Sequence, residues 1–171
     1  VGQKPRTPSR PVMYERAGLN EYTDIFADDM GYEGCERYAQ GNDSRPLIQC
    51  EYAHAMGNSQ EFKEYWDLIR KYPKYQGGFI WDFVDQSVLV LVTEDFYGYT
   101  GDWNNYDSKF DQNFCNNGLI APDRTWNPHA YEVQRVYQSV WVTPVEEEPK
   151  EVEVYNEYAF RNLDNYYLEA T

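Results

Sequence analysis

The sequence predicts an α/β protein: parallel strand–helix units over residues 1–143, passing into antiparallel β over residues 144–171. Three observations carry that expectation. Leu47, Ile48 and Cys50 form a short apolar run that stops at a carboxylate, Glu51, and a helical pattern follows. Such a run suits a strand buried on both faces. A second run, Phe79-Ile80-Trp81, also ends in polar groups, Asp82 and then Asp85-Gln86. Beyond the charged stretch Glu146-Glu147-Glu148-Pro149-Lys150, Val152, Val154, Asn156 and Tyr158 alternate with Glu151, Glu153, Tyr155 and Glu157. Period two is the mark of a half-exposed antiparallel strand. In barrels and doubly wound sheets, chemistry sits at the carboxyl ends of parallel strands. Glu51 stands at such an end.

The elements follow in order. The Pro-rich, basic residues 1–10 read as a loop. Pro11–Glu15 and Thr23–Ala27 are predicted strands, and Tyr32–Gln40 a short helix stopped by Gly41-Asn42-Asp43. Leu47–Glu51 is the third strand. Asn58 with Glu61 three residues later has the capping-box pattern, and Phe62, Tyr65, Trp66 and Ile69 make one buried helical stripe. Pro73 ends that helix by forcing its predecessor out of the helical region. Gly77-Gly78 opens the fourth strand, Phe79–Val84. Residues 93–128 carry little periodicity, far beyond the median loop of ~4–6 residues, and long loops of this kind are functional or disordered; their aromatic content argues against disorder. Asn127-Pro128 starts a helix with proline at its first position, bearing Val133, Val136, Tyr137 and Val140 on one face. Trp141–Val145 is a strand, Asn162–Asn165 a turn, and Tyr166-Tyr167-Leu168 opens a partner strand. A complete (β/α)8 barrel takes ~250 residues, so residues 1–140 hold about half of one, as a segment of a larger enzyme would.

Composition narrows the function. With 29 acidic and 15 basic residues the net charge is −14, which repels phosphate backbones and anionic lipid, so neither nucleic acid nor a membrane surface is an expected partner. No apolar run approaches the ~18 residues of a membrane span. Cys35, Cys50 and Cys115 form neither a closed disulfide framework nor a zinc spacing. The 17 Tyr, 5 Trp and 8 Phe fill cores, and aromatic rings also line sugar pockets. No signal-peptide pattern is present.

Three blocks then resemble one family in order. Cys50-Glu51-Tyr52-Ala53-His54-Ala55-Met56-Gly57-Asn58-Ser59 is similar to the nucleophile signature of bacterial β-galactosidases of glycoside hydrolase family two. Gly77-Gly78-Phe79-Ile80-Trp81-Asp82-Phe83-Val84-Asp85-Gln86-Ser87 resembles the next block. Phe114-Cys115-Asn116-Asn117-Gly118-Leu119-Ile120 with Pro122-Asp123-Arg124-Thr125 resembles the third. Glu153–Tyr158 and Phe160-Arg161 resemble the start of the family's following β-sandwich domain.

The resemblance implies the C-terminal half of a (β/α)8 TIM barrel, with Pro11–Glu15, Thr23–Ala27, Leu47–Glu51 and Phe79–Phe83 as strands five to eight. It implies hydrolysis of β-galactosides such as lactose by a retaining double displacement, with Glu51 as nucleophile; the bare alternative for Glu51 is a strand-end salt bridge. Such enzymes hold two carboxyl groups about 5–5.5 Å apart. The acid/base glutamate would lie upstream: Asn20-Glu21, the one Asn-Glu pair before residue 45, lacks the family's flanking glycine and histidine. The chain alone is therefore expected to be inactive. His54 would hold sugar hydroxyls, or else cap a local turn. Trp81 would lie under the galactose face, or else fill the core. The Phe114 carbonyl and Asn117 side-chain oxygen match a sodium site, oxygen donors suiting a hard cation; Asn117 could otherwise shape the turn before Gly118. Magnesium ligands would lie outside this chain. A homo-oligomeric parent in the cytoplasm or periplasm is implied. The family's Pro-Met-Tyr is replaced by Phe26-Ala27-Asp28-Asp29-Met30-Gly31-Tyr32, without the proline and with the tyrosine out of register. A β-glucuronidase-like enzyme and a non-catalytic sugar-binding remnant are the alternatives; an Asn-Glu pair at an upstream strand end separates the latter.

Overall fold

A computed structural model of the chain describes residues 9–55, 62–90, 96–99, 102, 114–146 and 150–169. The capping pair Asn58 and Glu61, most of the long aperiodic region, residues 1–8 and Glu147–Pro149 lie outside the described residues. Two compact units divide at Val133 and Gln134.

The first unit is organised around a three-stranded parallel sheet in the order β1-β2-β3. Its strands are β1 (Phe26–Asp28), β2 (Leu47–Tyr52) and β3 (Tyr75–Ile80). Helix α1 (Tyr32–Gln40) joins β1 to β2, and α2 (Phe62–Lys71) precedes β3. These are two successive βαβ units, as the sequence predicts. Both helices bury one stripe: Cys35 and Ala39 from α1, Phe62 and Leu68 from α2. Phe26, Leu47 and Tyr75 complete the core with Cys35, Ala39 and Leu68, and Met30, Tyr38, Tyr65 and Ile69 pack around it. Each large apolar side chain so buried contributes about 1.5–3 kcal/mol. The helix α2 stops at Lys71, two residues before Pro73.

Three strand expectations are corrected. Pro11–Glu15 is not a strand. Val12 N–H donates to the Asp24 carboxylate at 2.9 Å, and the Val12 carbonyl takes the N–H groups of Asp24 and Ile25 at 2.9 and 3.3 Å. A side chain has taken the place of a ladder partner. Thr23–Ala27 shrinks to β1, because Thr23 is held in a turn by hydrogen bonds from its hydroxyl to the Gly18 and Asn20 carbonyls. The fourth strand lies earlier than predicted, with Gly77 and Gly78 inside β3. At Gly78 a Cβ would come 2.8 Å from the Gln49 carbonyl and 2.9 Å from the Tyr52 ring. Gly78 permits close approach of β3 to β2, and Gly77 takes a φ of 129° that favours glycine; neither opens a strand.

After β3 the chain bends at Trp81, and residues 82–86 run beside residues 115–120 without forming a long ladder. β4 (Val88–Leu89) pairs antiparallel over two residues with β5 (Tyr97–Gly98), and β5 lies inside the region expected to be aperiodic. Helix α3 (Pro128–Val136) begins with its proline, as expected.

In the second unit β6 (Val140–Pro144) pairs antiparallel with β7 (Val152–Asn156). The expected partner segment, Tyr166–Leu168, is not a strand. Tyr166 instead meets Tyr158 hydroxyl to hydroxyl at 3.1 Å, with the Arg161 guanidinium 5.1 and 5.6 Å from the two ring centres. Trp141 anchors the hairpin by donating from Nε1 to Glu157 at 2.8 Å.

Candidate functional site at the carboxyl end of the parallel strands

β2 is the central strand, so its carboxyl end is flanked on both sides. Its register with β3 shifts twice, between Leu47 and Ile48 and again between Gln49 and Tyr52. There the backbone leaves the β region: φ is 55° at Glu51 and 55° at Ala53. Non-glycine residues in the left-handed region cost of order 1–3 kcal/mol each and cluster at functional sites. Tyr52, buried between them, holds the turn in place. Its ring packs on Phe62 and Tyr65, at 5.6 and 5.7 Å between centres, and its hydroxyl accepts from Trp66 Nε1 at 3.0 Å.

The turn directs Glu51 and His54 into one cavity of about 130 Å³. Its remaining walls are Asp29, Met30 and Gly31 from the loop after β1, Gln49 and Tyr52 from β2, Ala53 just beyond it, and Tyr65 from α2. Among the described residues no cation pairs with the Glu51 carboxylate.

His54 connects this cavity to the two later blocks. Its ring lies nearly parallel to Trp81, 11° between planes and 6.2 Å between centres, and is tilted against Phe114 at 5.3 Å. Three buried polar atoms of these residues and their neighbour, His54 Nδ1, Trp81 Nε1 and Asp82 Oδ1, have no hydrogen-bond partner among the described residues. Buried polar groups are normally paired, and this set can both donate and accept, which matches a hydroxyl-rich ligand. Burial pushes the Asp82 carboxyl above its usual range; the hydrogen bond from Gln86 opposes this and the Asp85 charge adds to it. Trp81 is half-buried, not part of the core, and the Trp81–Asp82 peptide is cis.

Asn117, fully buried, donates from Nδ2 to the Phe114 carbonyl. This brings together the two residues expected at a sodium site. As oriented, the amide nitrogen faces the carbonyl; the assignment of nitrogen and oxygen in an amide rests on its partners, and turning it would set Oδ1 beside the Phe114 oxygen. The donors are neutral oxygens, which suit a monovalent hard cation, and the carbonyl keeps a second lone pair. Among the described residues no group of three His, Cys, Asp or Glu could hold a metal ion.

The segment carrying Asn117 is fixed by backbone pairing. Asp82 N–H donates to the Asn117 carbonyl at 3.2 Å, Leu119 N–H to Asp82 at 3.1 Å, and Asp85 N–H to Ile120 at 2.9 Å. The Asp85 carboxylate accepts from Gly118 N–H at 2.7 Å, and Asn127 donates to the Gly118 carbonyl at 2.8 Å. All five predicted site residues are thus linked: Glu51 to His54 through the cavity, His54 to Trp81 and Phe114 by ring contact, Phe114 to Asn117 by a hydrogen bond. Sequence reasoning did not reach Asp29, Gln49 and Tyr65 as cavity residues; no pattern local to them marks a site. The polar tip at Asp82 and Asp85 was visible as the end of an apolar run.

A family model described as Glycosyl hydrolases family 2, TIM barrel domain matches residues 3–142. A β-galactosidase of Yersinia enterocolitica is 43% identical over 96% of this chain. One from Aeromonas hydrophila is 42% identical over 92%, and a protein of Enterobacter cloacae called β-galactosidase 2 is 40% identical over 98%. The chain spans about 17% of the length of the first two relatives and 18% of the third. No helix among the described residues is long and apolar enough to cross a membrane.

Proposed function

Because the chain belongs to glycosyl hydrolase family 2, through its TIM barrel domain, we propose that the full-length protein carrying it is a retaining β-galactosidase. Glu51 is its nucleophile. The observation that carries this reading is the backbone turn at the carboxyl end of β2, the central parallel strand, where Glu51 lines a cavity with His54. We read β1, β2 and β3 as the last three strands of the barrel and the β6–β7 hairpin as the start of the β-sandwich that follows it.

In a double displacement the Glu51 carboxylate attacks the anomeric carbon as the glycosidic bond breaks, and the leaving oxygen takes a proton from a second carboxyl group. Water then hydrolyses the glycosyl ester with retention. The second carboxyl group belongs to a part of the barrel outside residues 1–171. His54 and Trp81 bind the sugar, the imidazole through hydroxyls and the indole through its face. A sodium ion held by the Phe114 carbonyl and Asn117 side chain would supply positive charge beside a sugar hydroxyl.

The test is covalent trapping. A 2-fluoro-galactoside with a good leaving group slows hydrolysis of the adduct more than its formation. The full-length protein is expected to gain the mass of one fluorogalactosyl group on the peptide holding Cys50-Glu51-Tyr52. Labelling of another carboxylate would refute the assignment. For the cation, substrate is expected to bind more tightly in sodium than in a bulky-cation buffer, and Asn117→Ala to flatten that response. Equal responses of wild type and variant would remove sodium from Asn117.

A further inference from the structure

Burying an amide costs free energy unless both its ends are used. Gln49 is 1% exposed and sits with Leu47 on the buried side of β2. Its Nε2 donates to the Met30 carbonyl, and its Oε1 accepts from the Tyr75 hydroxyl of β3. Cys35 Sγ, from α1, donates to the same Met30 carbonyl at 3.7 Å. Burial pushes the Cys35 thiol up to about 11 and raises the Tyr75 hydroxyl well above its usual range, so both remain neutral donors at neutral pH. Side chains from two elements therefore grip one carbonyl in the loop between β1 and α1.

That loop is a wall of the Glu51 cavity: Asp29, Met30 and Gly31 line it together with Gln49 itself. An apolar residue at position 49 would fill the core equally well, but it would leave the Met30 carbonyl and Tyr75 hydroxyl without this partner. A fully satisfied polar network in a core specifies one arrangement of the chain. Gln49 pairs with Gly78 immediately before the second register shift of β2, where Glu51 takes its positive φ.

We propose that Gln49 is a positioning residue: by holding the Met30 carbonyl it fixes the Asp29–Gly31 wall against Glu51 and so sets how the sugar meets the nucleophile. This rests on the reading of Glu51 as nucleophile.

The experiment uses the full-length protein and the 2-fluoro-galactoside. Gln49→Met, near in shape and without hydrogen-bonding ends, is expected to slow labelling of Glu51 at saturating reagent by up to about 100-fold. Cys35→Ser keeps a donor to Met30 and stays within a few-fold of wild type. In Gln49→Glu a protonated carboxyl can still donate to Met30, whereas the carboxylate cannot. The labelling rate of Gln49→Glu relative to wild type is therefore expected to fall as pH rises through that carboxyl's titration. If Gln49→Met does not fold, this pH-dependent ratio decides. A merely space-filling Gln49 would give wild-type labelling in Gln49→Met and a flat ratio in Gln49→Glu, which overturns the proposal. Wild type that labels with these variants unchanged sinks the positioning role alone; wild type that does not label at Glu51 sinks the nucleophile reading and this one with it.

Discussion

Glu51→Gln in the full-length protein is expected to abolish turnover, a loss on the order of 10^4–10^6-fold, as for other residues that form the covalent bond. At about 1.4 kcal/mol per tenfold this is roughly 5–8 kcal/mol of transition-state stabilisation. Glutamine keeps the shape of the side chain, so the left-handed turn at Glu51 and the packing of Tyr52 beneath it should survive. What it removes is the negative charge that the proposed double displacement requires, and an amide is a far poorer nucleophile. A surface ion pair at this position would be worth only ~0–1 kcal/mol, so its loss would leave an active, slightly less stable protein. Steady-state rates with a nitrophenyl galactoside distinguish the two. Activity within tenfold of wild type, with normal thermal stability, would mean that the chemistry lies elsewhere.

The second large effect is expected at Gly118. A Cβ there would lie 2.2 Å from the Asp85 nitrogen, 2.5 Å from the Val84 carbonyl carbon and 2.8 Å from the Ile120 oxygen. All three are backbone atoms, so no side chain can swing aside. Gly118→Ala must push residues 82–85 away from residues 117–120, breaking hydrogen bonds that hold Asn117 beside Asp82. Overpacking costs about 1–3 kcal/mol, occasionally more, and here the strain falls on the segment joining Trp81 to Asn117. We expect loss of soluble full-length protein or, where it folds, a fall in kcat/KM together with a weakened sodium response. A variant with wild-type yield and an unchanged sodium response would show that the two segments separate freely.

Some of the architecture was legible because it is local. The limits of α1 were readable from Tyr32 to Gln40, since a helical stripe and the Gly41 stop both lie within one stretch of chain. The start of α3 followed from Pro128, whose fixed φ and missing N–H suit the first helical position. β2 and its terminal carboxylate followed from an apolar run too short for a helix. The candidate site was legible for a different reason: its chemistry is concentrated in three short blocks, each carrying its own residues.

The failures share a cause as well. Pro11–Glu15 has a strand's composition, but its hydrogen bonds go to Asp24, a partner 12 residues away that local pattern cannot supply. Gly77 and Gly78 look like a strand opening, yet Gly78 is set by the Gln49 carbonyl and Tyr52 ring on the neighbouring strand and Gly77 by its positive φ. β7 shows its alternation plainly; that it pairs with β6 and not with Tyr166–Leu168 is decided by the ladder itself.

By itself, then, the sequence determined which residues are candidates for chemistry, where most helices run, and that parallel units give way to antiparallel strands. Side-chain period, proline geometry and charge are properties of neighbours along the chain. Only the tertiary structure decided that His54 would meet Trp81 and Phe114, that Asp29 and Tyr65 would wall the Glu51 cavity, and that a core amide, Gln49, would hold the Met30 carbonyl. Those contacts depend on how closely β1, β2 and β3 approach and on a two-residue left-handed turn, distances and angles set by packing between segments far apart in the chain.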